Sequence, residues 1–286
     1  PDITVYYGDN MGFLHAIDAD TGEELFSFIP ELLLPNLDTL YTNSSADSHL
    51  YGIDGAVSSW VKDVDGDSTI DPLDGDHAHL YFGLRRGGNN YYALDVTDRS
   101  NPTVLWTIEG GSGDFGNLAQ TWSRPVNTVV TIGNTQHDVL IFTGGYDADQ
   151  DDVSVRTPDN EGGAIYMVDA STGALLWSAG TSVQDDTTVS DMIYSIPSSV
   201  KAIDVNNDGQ TDQFYVGDMG GQLWRFDITH GNNVNSLVSG GVIADISGSS
   251  AADNRRFYHA PDISVVVSDA VRKLAITFGS GWQAHP

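Results

Sequence analysis

A short unit of strand, glycine turn and strand recurs along the chain, and this repeat limits the possible folds more than any other feature. It reads Gly-Ala-Ile-Tyr-Met-Val-Asp-Ala-Ser-Thr-Gly-Ala-Leu-Leu-Trp over residues 163–177, and related copies lie at 5–28, 88–106 and 214–228. The apolar runs alternate or are rich in β-branched and aromatic residues, as half-buried strands are. Repeats of about four short strands are typical of propeller blades.

We therefore predict an all-β fold, a modified β-propeller that forms one domain over residues 1–286 with about five blade units. The blade units are predicted at 3–29, 50–108, 124–178, 196–246 and 257–280, the first and last being incomplete. Because closed propellers usually contain more blades, we expect the chain to be part of a larger propeller. Segments 30–49 and 144–162 are predicted insertions, and the first should hold one short helix at 32–37 whose length Pro35 limits.

The acidic composition excludes several classes of function. The chain has 12 Lys and Arg residues against 40 Asp and Glu residues, which gives a formal net charge of −28. Nucleic-acid binding needs a basic footprint, and so does docking on anionic lipid, so neither is expected. The absence of cysteine excludes disulfides, thiolate catalysis and cysteine-bound metals. No apolar run approaches the roughly 18 residues of a membrane span.

The strongest local motif is the sequence Asp-Val-Asn-Asn-Asp-Gly-Gln-Thr-Asp at residues 204–212. Oxygen-bearing side chains recur at its positions 1, 3, 5 and 9, glycine stands at position 6, and position 7 can offer its backbone carbonyl. This spacing lets a short loop wrap a hard cation, and Ca²⁺ takes about six to eight oxygen ligands. A helical calcium loop would place Glu at position 12, where this chain has Tyr215, so a β-hairpin loop fits better. The predicted Ca²⁺ ligands are Asp204, Asn206, Asp208, Gln210 and Asp212.

A second loop, residues 63–71, has the same spacing of oxygen-bearing side chains. Ser68 replaces the glycine at position 6, so we expect this loop to be strained. Both loops should join the first and second strands of their blades, and this equivalent placement supports a shared role. The alternative for each is a solvated acidic turn, although clustered carboxylates repel one another when no cation is present. The predicted ligands of the second Ca²⁺ site are Asp63, Asp65, Asp67, Thr69 and Asp71.

Three further patterns are weaker candidates for a functional site. The acidic run at 147–152 has Val155 where the ninth position would need an acid. A Gly-x-Gly-x-x-Gly pattern at 111–116 is followed by no helix, which argues against dinucleotide binding. His77 and His79 alternate on a predicted strand, and we interpret them as strand residues in preference to a metal-binding pair.

Several stretches together resemble the PilC/PilY family of type IV pilus proteins, whose propeller binds calcium. The most specific is the 204–212 loop followed by Tyr-Val-Gly-Asp-x-Gly-Gly-x-Leu-Trp-Arg-Phe-Asp at 215–227. The family's calcium loop corresponds to the five predicted ligands of that loop, with Gln210 contributing through its backbone. The other matching stretches are 28–37, 51–55, 83–97, 121–125 and 194–197.

The resemblance implies a non-enzymatic calcium-binding module of a pilus biogenesis or tip protein. Such a module would promote pilus assembly, oppose retraction and support surface attachment and twitching motility. Its implied partners are major or minor pilins, and host or abiotic surface ligands. Its implied location is extracellular, at the pilus tip or on the outer membrane.

Two other classes of protein share parts of this pattern. Quinone-dependent dehydrogenases carry similar Asp-x-x-Thr-Gly repeats, but about five blade units and no cysteine argue against that enzyme class. Integrin-like or assembly-scaffold propellers carry similar calcium loops, and because one fold hosts many functions this alternative stays open.

Overall fold

Five successive β-sheets are present in the computed structural model, which describes residues 3–43, 49–182, 184–268 and 271–284. The first sheet has strands β1 (Thr4–Gly8), β2 (Leu14–Asp18) and β3 (Glu24–Phe28), and the second has β4 (Val57–Lys62), β5 (His77–Gly83), β6 (Tyr91–Asp95) and β7 (Thr103–Ile108). The third has β8 (Val126–Ile132), β9 (Thr135–Thr143), β10 (Ala164–Asp169), β11 (Leu175–Gly180) and β12 (Thr187–Thr188). The fourth has β13 (Lys201–Ile203), β14 (Gln213–Gly217), β15 (Gln222–Ile228) and β16 (Val238–Asp245), and the fifth has β17 (Asp262–Ser268) and β18 (Val271–Thr277).

The prediction of an all-β propeller is confirmed, and each predicted blade unit holds the strands of one of these sheets, except that the third sheet extends past residue 178 to Thr188. Every strand pairs with its neighbour in sequence, and all pairs are antiparallel except β11 with β12. In the first insertion, a 3₁₀ helix spans Glu31–Leu33 and the helix α1 spans Asn36–Thr42. The predicted helix at 32–37 is therefore displaced, because Pro35 lacks an N–H group and precedes the first helical residue. The end of this insertion, 44–48, lies outside the described residues.

Three hydrophobic clusters fill the spaces between successive sheets. Along β5, Leu80 and Phe82 pack toward the first sheet, whereas Tyr81 between them packs toward Phe142 of the third sheet. The third and fourth sheets meet around Trp177 and its neighbours, among them Phe214 and Phe226. Alternate side chains of a strand thus face different sheets, and both faces are buried, as in stacked propeller blades.

The Asp-x-x-Thr-Gly repeats form tight turns that close on their own aspartate. In the turn after β10, the Asp169 Oδ1 atom accepts hydrogen bonds from the backbone N–H and the hydroxyl of Thr172, both at 2.9 Å. Gly173 follows at φ +71°, a conformation that favours glycine. Asp18 and Thr21 make the same contacts in the turn after β2. In the third sheet this turn follows the third strand, β10. Because the same turn follows β2 in the first sheet, β1–β3 correspond to the second, third and fourth strands of a blade.

The antiparallel topology assigns each turn to one of two ends of the molecule. In a four-stranded blade, the turns after the first and third strands lie at one end. The turn after the second strand and the connection to the next blade lie at the opposite end. The loops 63–76 and 204–212 each follow a first strand, so both lie at the same end, and this placement agrees with the prediction.

Candidate metal centre

The 204–212 loop curls around the carboxylate of its first residue, Asp204. The Asp204 Oδ1 atom accepts the backbone N–H of Asn207 at 2.5 Å, and its Oδ2 atom accepts that of Gly209 at 2.8 Å. Asn207 and Gly209 have φ values of +63° and +87°, and these two left-handed residues turn the chain sharply. Asparagine tolerates this conformation better than most residues, and glycine adopts it without strain.

Three other oxygen-bearing side chains of this loop, Asn206, Asp208 and Asp212, lie close together. The Asn206 Nδ2 atom lies 3.1 Å from the Asp208 Oδ2 atom and 3.4 Å from the Asp212 Oδ1 atom. The Asn206 amide therefore bridges the carboxylates of Asp208 and Asp212, and a cation that prefers oxygen ligands could bind between the same two carboxylates. The Gln210 side chain points away from them, because its Oε1 atom accepts a hydrogen bond from Thr131 at 2.6 Å. Only the backbone of Gln210 is left to contribute at position 7.

The second loop repeats this arrangement over its first five positions. Asp63 accepts the backbone N–H groups of Gly66 at 2.7 Å and Ser68 at 2.8 Å, matching the contacts of Asp204. Carboxylate oxygens of Asp63, Asp65 and Asp67 lie within 4.8 Å of one another. Three ionised carboxylates at this spacing form a concentrated negative charge at the protein surface.

The structure does not bring Asp71 to this cluster, although the spacing predicted it as the last ligand. The Asp71 Oδ1 atom instead accepts the Leu73 N–H at 2.9 Å and caps a 3₁₀ helix, Pro72–Asp74. This helix makes the second loop longer than the first. The ninth residue counted from Asp63 is therefore Asp71, which comes before the end of the loop. Thr69, at position 7, donates its backbone N–H to the Asp67 carboxylate at 2.7 Å.

Asp76 occupies the place that Asp212 has in the first loop, and sequence reasoning missed it. Each of the two residues directly precedes the second strand of its blade. Asp212 accepts the backbone N–H of Val205, and Asp76 accepts that of Val64, both at 2.7 Å. Both donors are at position 2 of their loops. Alignment of the loops from the following strand, in place of the first aspartate, would have identified Asp76.

The hydrogen bonds inside the loops favour the ionised form of the leading aspartates. The Ser68 N–H is the largest influence on Asp63 and lowers the pKa of its carboxyl group below the usual value, although desolvation opposes this. For Asp204, desolvation is the largest single influence and raises the pKa. The N–H groups of Gly209, Asn207 and Asp208 together outweigh it, so the pKa is lowered. Both carboxylates are therefore in the state that binds a cation.

The first loop also bridges two sheets. Besides the contact between Gln210 and Thr131, the Thr211 N–H donates to the Val129 carbonyl at 3.3 Å, and the hydroxyls of Thr211 and Thr128 lie 2.6 Å apart. Thr128, Val129 and Thr131 belong to β8 of the third sheet, whereas the loop belongs to the fourth. We name these three contacts the interblade clamp.

The strain predicted at Ser68 is present and leads to a testable expectation. Ser68 has φ +68°, which disfavours a residue with a Cβ atom, and Gly209 has the equivalent position in the first loop. We expect Ser68→Gly to raise the free energy of unfolding by about 1 kcal/mol, as measured by urea denaturation. Gly209→Ser is the converse variant and should lower it by a similar amount. A Cβ atom at Gly209 would meet no atom within 4 Å, so any loss reports backbone strain alone. A destabilising Ser68→Gly variant would contradict this account.

The weaker candidates have structural contacts that account for them. In the acidic run, Asp147 caps a 3₁₀ helix, and Asp151 forms a two-pronged ion pair with Arg86 at 2.7 and 2.8 Å. The rings of His77 and His79 stack on each other. The pKa of His79 is lowered, mainly by its burial and secondarily by the charge of the neighbouring His77. The Gly-x-Gly-x-x-Gly segment forms one short 3₁₀ helix, Gly113–Phe115.

A family model describing the PilY1 β-propeller domain matches residues 2–277 of the chain. The chain belongs to the PilY1 β-propeller family. A type IV pilus biogenesis factor PilY1 homologue from Xylella fastidiosa is 33% identical over 229 residues, which cover 78% of this chain and 16% of that protein. PilY1 of Pseudomonas aeruginosa is 32% identical over 228 residues, covering 79% of this chain and 17% of that protein. This PilY1 propeller chain therefore spans only about a sixth of the relatives it matches.

Solved structures support the same assignment for this PilY1 propeller chain. The crystal structure of the Pseudomonas aeruginosa PilY1 C-terminal domain has a TM-score of 0.64 and 26% identity, covering 97% of this chain and 52% of that one. The quinohemoprotein alcohol dehydrogenase of Comamonas testosteroni has a TM-score of 0.53 and 14% identity, covering 98% and 38% of the two chains. That second likeness shows a shared propeller fold alone. Among the described residues, no helix is long and apolar enough to cross a membrane.

Proposed function

We propose that this domain is a calcium-binding propeller module of a type IV pilus biogenesis protein. In this proposal it promotes pilus assembly, opposes retraction and supports surface attachment and twitching motility. The observation that carries the proposal is the 204–212 loop, whose oxygen-bearing side chains converge within a chain of the PilY1 propeller family. The names of the relatives, which are pilus biogenesis factors, support the pilus assignment.

The donor set of the first loop fits Ca²⁺ better than other common metal ions. Asp204, Asn206, Asp208 and Asp212 offer only oxygen atoms once the Asn206 amide turns its oxygen inward, and Gln210 adds a backbone carbonyl. Zinc and copper prefer nitrogen or sulfur, and Mg²⁺ demands a near-ideal octahedron that an open loop does not provide. Extracellular calcium modules bind with dissociation constants of about 10⁻⁴–10⁻³ M, so extracellular calcium would occupy such a site.

The second loop is proposed as a further Ca²⁺ site with a revised ligand set. Asp63, Asp65 and Asp67 provide the carboxylates, and the Thr69 backbone takes the place of Gln210. Asp76 replaces Asp71 as the last carboxylate, because it has the contacts of Asp212. Asp76 is only 4% exposed, which makes it the most buried acid of the loop.

A structural consequence of calcium binding follows from the interblade clamp. Without a cation, the carboxylates of the first loop repel one another, and this repulsion favours opening of the loop. When bound, the cation supplies the positive charge that offsets it. Gln210 and Thr211 then remain in place against β8, so the third and fourth sheets stay joined. We propose that this order sets how the propeller surface engages pilins or other surface ligands at the cell surface.

Calorimetric titration of the chelator-treated protein with CaCl₂ tests the proposed sites. We expect two binding events, with Asp208→Ala abolishing one and Asp67→Ala abolishing the other. Asp76→Asn should weaken the second event at least about tenfold, because it removes a charged ligand. Asp71→Asn is the matched control and should leave it nearly unchanged. Absence of any calcium-dependent heat in the folded protein would contradict the calcium proposal, and equal effects of the last two variants would contradict the revised ligand set.

The pilus role requires a separate test in the full-length protein. A strain that carries Asp208→Ala should show reduced surface pili and reduced twitching, while a strain that carries Asp114→Ala should match the parent. Asp114 is exposed in the 3₁₀ helix Gly113–Phe115, so its substitution changes the charge equally without touching either loop. Normal pilus extension and retraction in the Asp208→Ala strain would contradict a calcium-dependent role.

A further inference from the structure

Two neighbouring arginines, Arg85 and Arg86, lie at the end of the propeller opposite the loops 63–76 and 204–212, and their side chains are held in different ways. Arg86 is locked by its two short contacts with Asp151, and that carboxylate also accepts the Tyr146 hydroxyl at 2.6 Å. Within the described residues, Arg85 makes two long hydrogen bonds, one with Asp54 and one with Gln283, each at 3.4 Å. Most N–H donors of Arg85 therefore have no partner among the described residues.

An aromatic surface holds the Arg85 guanidinium in position. Its central carbon lies 4.2 Å from the ring centroid of Trp122, a cation–π contact. Trp122 itself is fixed, because its ring packs in a tilted arrangement against Tyr146, with ring centroids 4.5 Å apart, and its indole N–H donates to Gln120 at 3.1 Å. The guanidinium is thus preorganised by a ring, and its contact with an acid, Asp54 at 3.4 Å, is longer than the two contacts of Arg86 with Asp151.

The residues around Arg85 come from sheets that are far apart in sequence. Arg85 follows β5 of the second sheet, Trp122 lies between the second and third sheets, and Tyr258 lies between the fourth and fifth. Trp122 and Tyr258 are nevertheless only 5.9 Å apart. Blades of a propeller converge at its axis, so these residues mark the axial region at the end opposite the calcium loops. We name Arg85, Trp122, Tyr146, Tyr258 and Gln283 the axial cluster.

Two features distinguish Arg85 from a purely structural surface arginine. Its backbone has φ +54°, a left-handed conformation that is unfavourable for a residue with a Cβ atom. Such conformations concentrate at ligand sites, where the surrounding structure enforces them. Within the part of the chain that the structure describes, its guanidinium also lacks a close carboxylate partner of the kind that Arg86 has in Asp151.

We propose that the axial cluster binds a carboxylate group of an acidic peptide through Arg85. A planar guanidinium presents paired N–H donors that match the two oxygens of a carboxylate, and the contacts of Arg85 with Asp54 and Gln283 are both long, at 3.4 Å. The Gln283 amide, which lies 3.0 Å from His259, adds a neutral polar group beside it. The strong overall negative charge disfavours polyanions such as nucleic acids, so a single carboxylate on a peptide is the fitting partner. This inference does not depend on calcium binding.

Asp54 is the internal competitor for the same guanidinium. Its carboxylate reaches Arg85 only at 3.4 Å, and the two side chains are 38% and 33% exposed. A ligand carboxylate at a shorter distance would replace this long contact. Removal of the Asp54 charge should therefore strengthen ligand binding, whereas a purely structural arginine would only lose a partner.

Titration of the ¹⁵N-labelled chain with three peptides tests the proposal, with the six tryptophan indole resonances as the readout. The first peptide is amidated and carries one internal glutamate, the second is neutral with a free carboxyl terminus, and the third is neutral and amidated. We expect the Trp122 indole signal to shift with the first or second peptide and not with the third. The first two peptides separate a side-chain carboxylate from a terminal one. No shift with either, or an equal shift with all three, would overturn the proposal.

Variants at the cluster complete the test. Arg85→Gln should weaken carboxylate binding about tenfold or more, and Asp54→Asn should strengthen it several-fold. Arg156→Gln is the matched control, since Arg156 also lies over a ring, Tyr194 at 4.7 Å, but is paired with Asp245 at 2.9 Å. Equal losses in the Arg85 and Arg156 variants would overturn the assignment. If Arg85→Gln fails to fold, an Asp54→Asn variant without increased affinity would still overturn it.

Discussion

As the pH rises from 4 to 7, the free energy of unfolding of the Asp218→Asn variant is expected to increase relative to that of the parent protein by as much as about 4 kcal/mol. Asp218 is completely buried, and this burial raises the pKa of its carboxyl group to about 7. Hydrogen bonds from Trp224 Nε1 and the Gln222 N–H, each at 2.8 Å, favour the carboxylate but do not offset the burial.

The sign of this effect follows from the two pKa values of Asp218. In the unfolded chain the group ionises near the ordinary value of 3.8, whereas in the folded protein it holds its proton up to about pH 7. The unfolded state is therefore favoured increasingly as the pH rises through this window, and the stability contributed by the protonated form is lost. Asparagine does not titrate, so the variant escapes this loss.

Urea denaturation of both proteins at half-unit steps from pH 4 to pH 8 measures the difference. The difference in the free energy of unfolding between the Asp218→Asn variant and the parent should change between pH 4 and pH 7 and become constant above about pH 7. Asp20→Asn is the matched control, because Asp20 is exposed and its replacement should change stability by less than about 0.5 kcal/mol at any pH. A constant gap between the Asp218→Asn variant and the parent would mean that the buried group is ionised throughout.

The strand pattern was predictable because the blades bury both faces and end in turns with strict requirements. Gly173 and Asp169 show how the Asp-x-x-Thr-Gly spacing translates directly into a hydrogen-bonded turn. The strand β12 was not predictable, since two residues carry no periodicity and their parallel pairing depends on where the preceding loop returns. The start of α1 differed from the expectation by the few residues that separate Leu32 from Asn36.

The candidate metal centre was predictable as far as local spacing determines it. In the first loop, the Asn206 amide contacts Asp208 and Asp212, two other side chains that the spacing identified, and the calcium site itself stays a prediction. In the second, an acid stands at the ninth position, but the chain enters the 3₁₀ helix there, and Asp76 makes the backbone contact that Asp212 makes in the first loop. The axial cluster was invisible to this reasoning, because Arg85 and Tyr258 become neighbours only when distant blades converge.

The two ends of the propeller therefore offer different chemistry. The end with loops 63–76 and 204–212 presents clustered carboxylates, whereas the opposite end presents Arg85 in contact with the Trp122 ring. A module of this kind could respond to calcium at one end and contact a peptide at the other without competition between the sites. The interblade clamp is the feature that would carry calcium occupancy beyond its own loop, because it reaches β8 in the neighbouring sheet.

Calcium at about 10 mM is expected to raise the melting temperature by about 5 °C for each occupied loop. With dissociation constants of about 10⁻⁴–10⁻³ M, this concentration stabilises the folded state by about 1.4–2.7 kcal/mol per site. For a chain of this size, each kcal/mol corresponds to about 2–4 °C. Thermal unfolding with CaCl₂, MgCl₂ or chelator measures the shift, and a magnesium effect equal to that of calcium would contradict the proposed selectivity.

Hydrogen exchange can show whether the clamp transmits this effect between sheets. We expect calcium to slow exchange in the loop and also in β8, at residues 126–132. Thr131→Val removes the hydroxyl that donates to Gln210, so it should reduce the calcium-dependent protection of β8 while the loop itself stays protected. Thr107→Val, an exposed strand position in the second sheet, is the matched control and should leave both unchanged. Protection confined to the loop in the parent protein would show that calcium acts locally and that the clamp does not couple the third and fourth sheets.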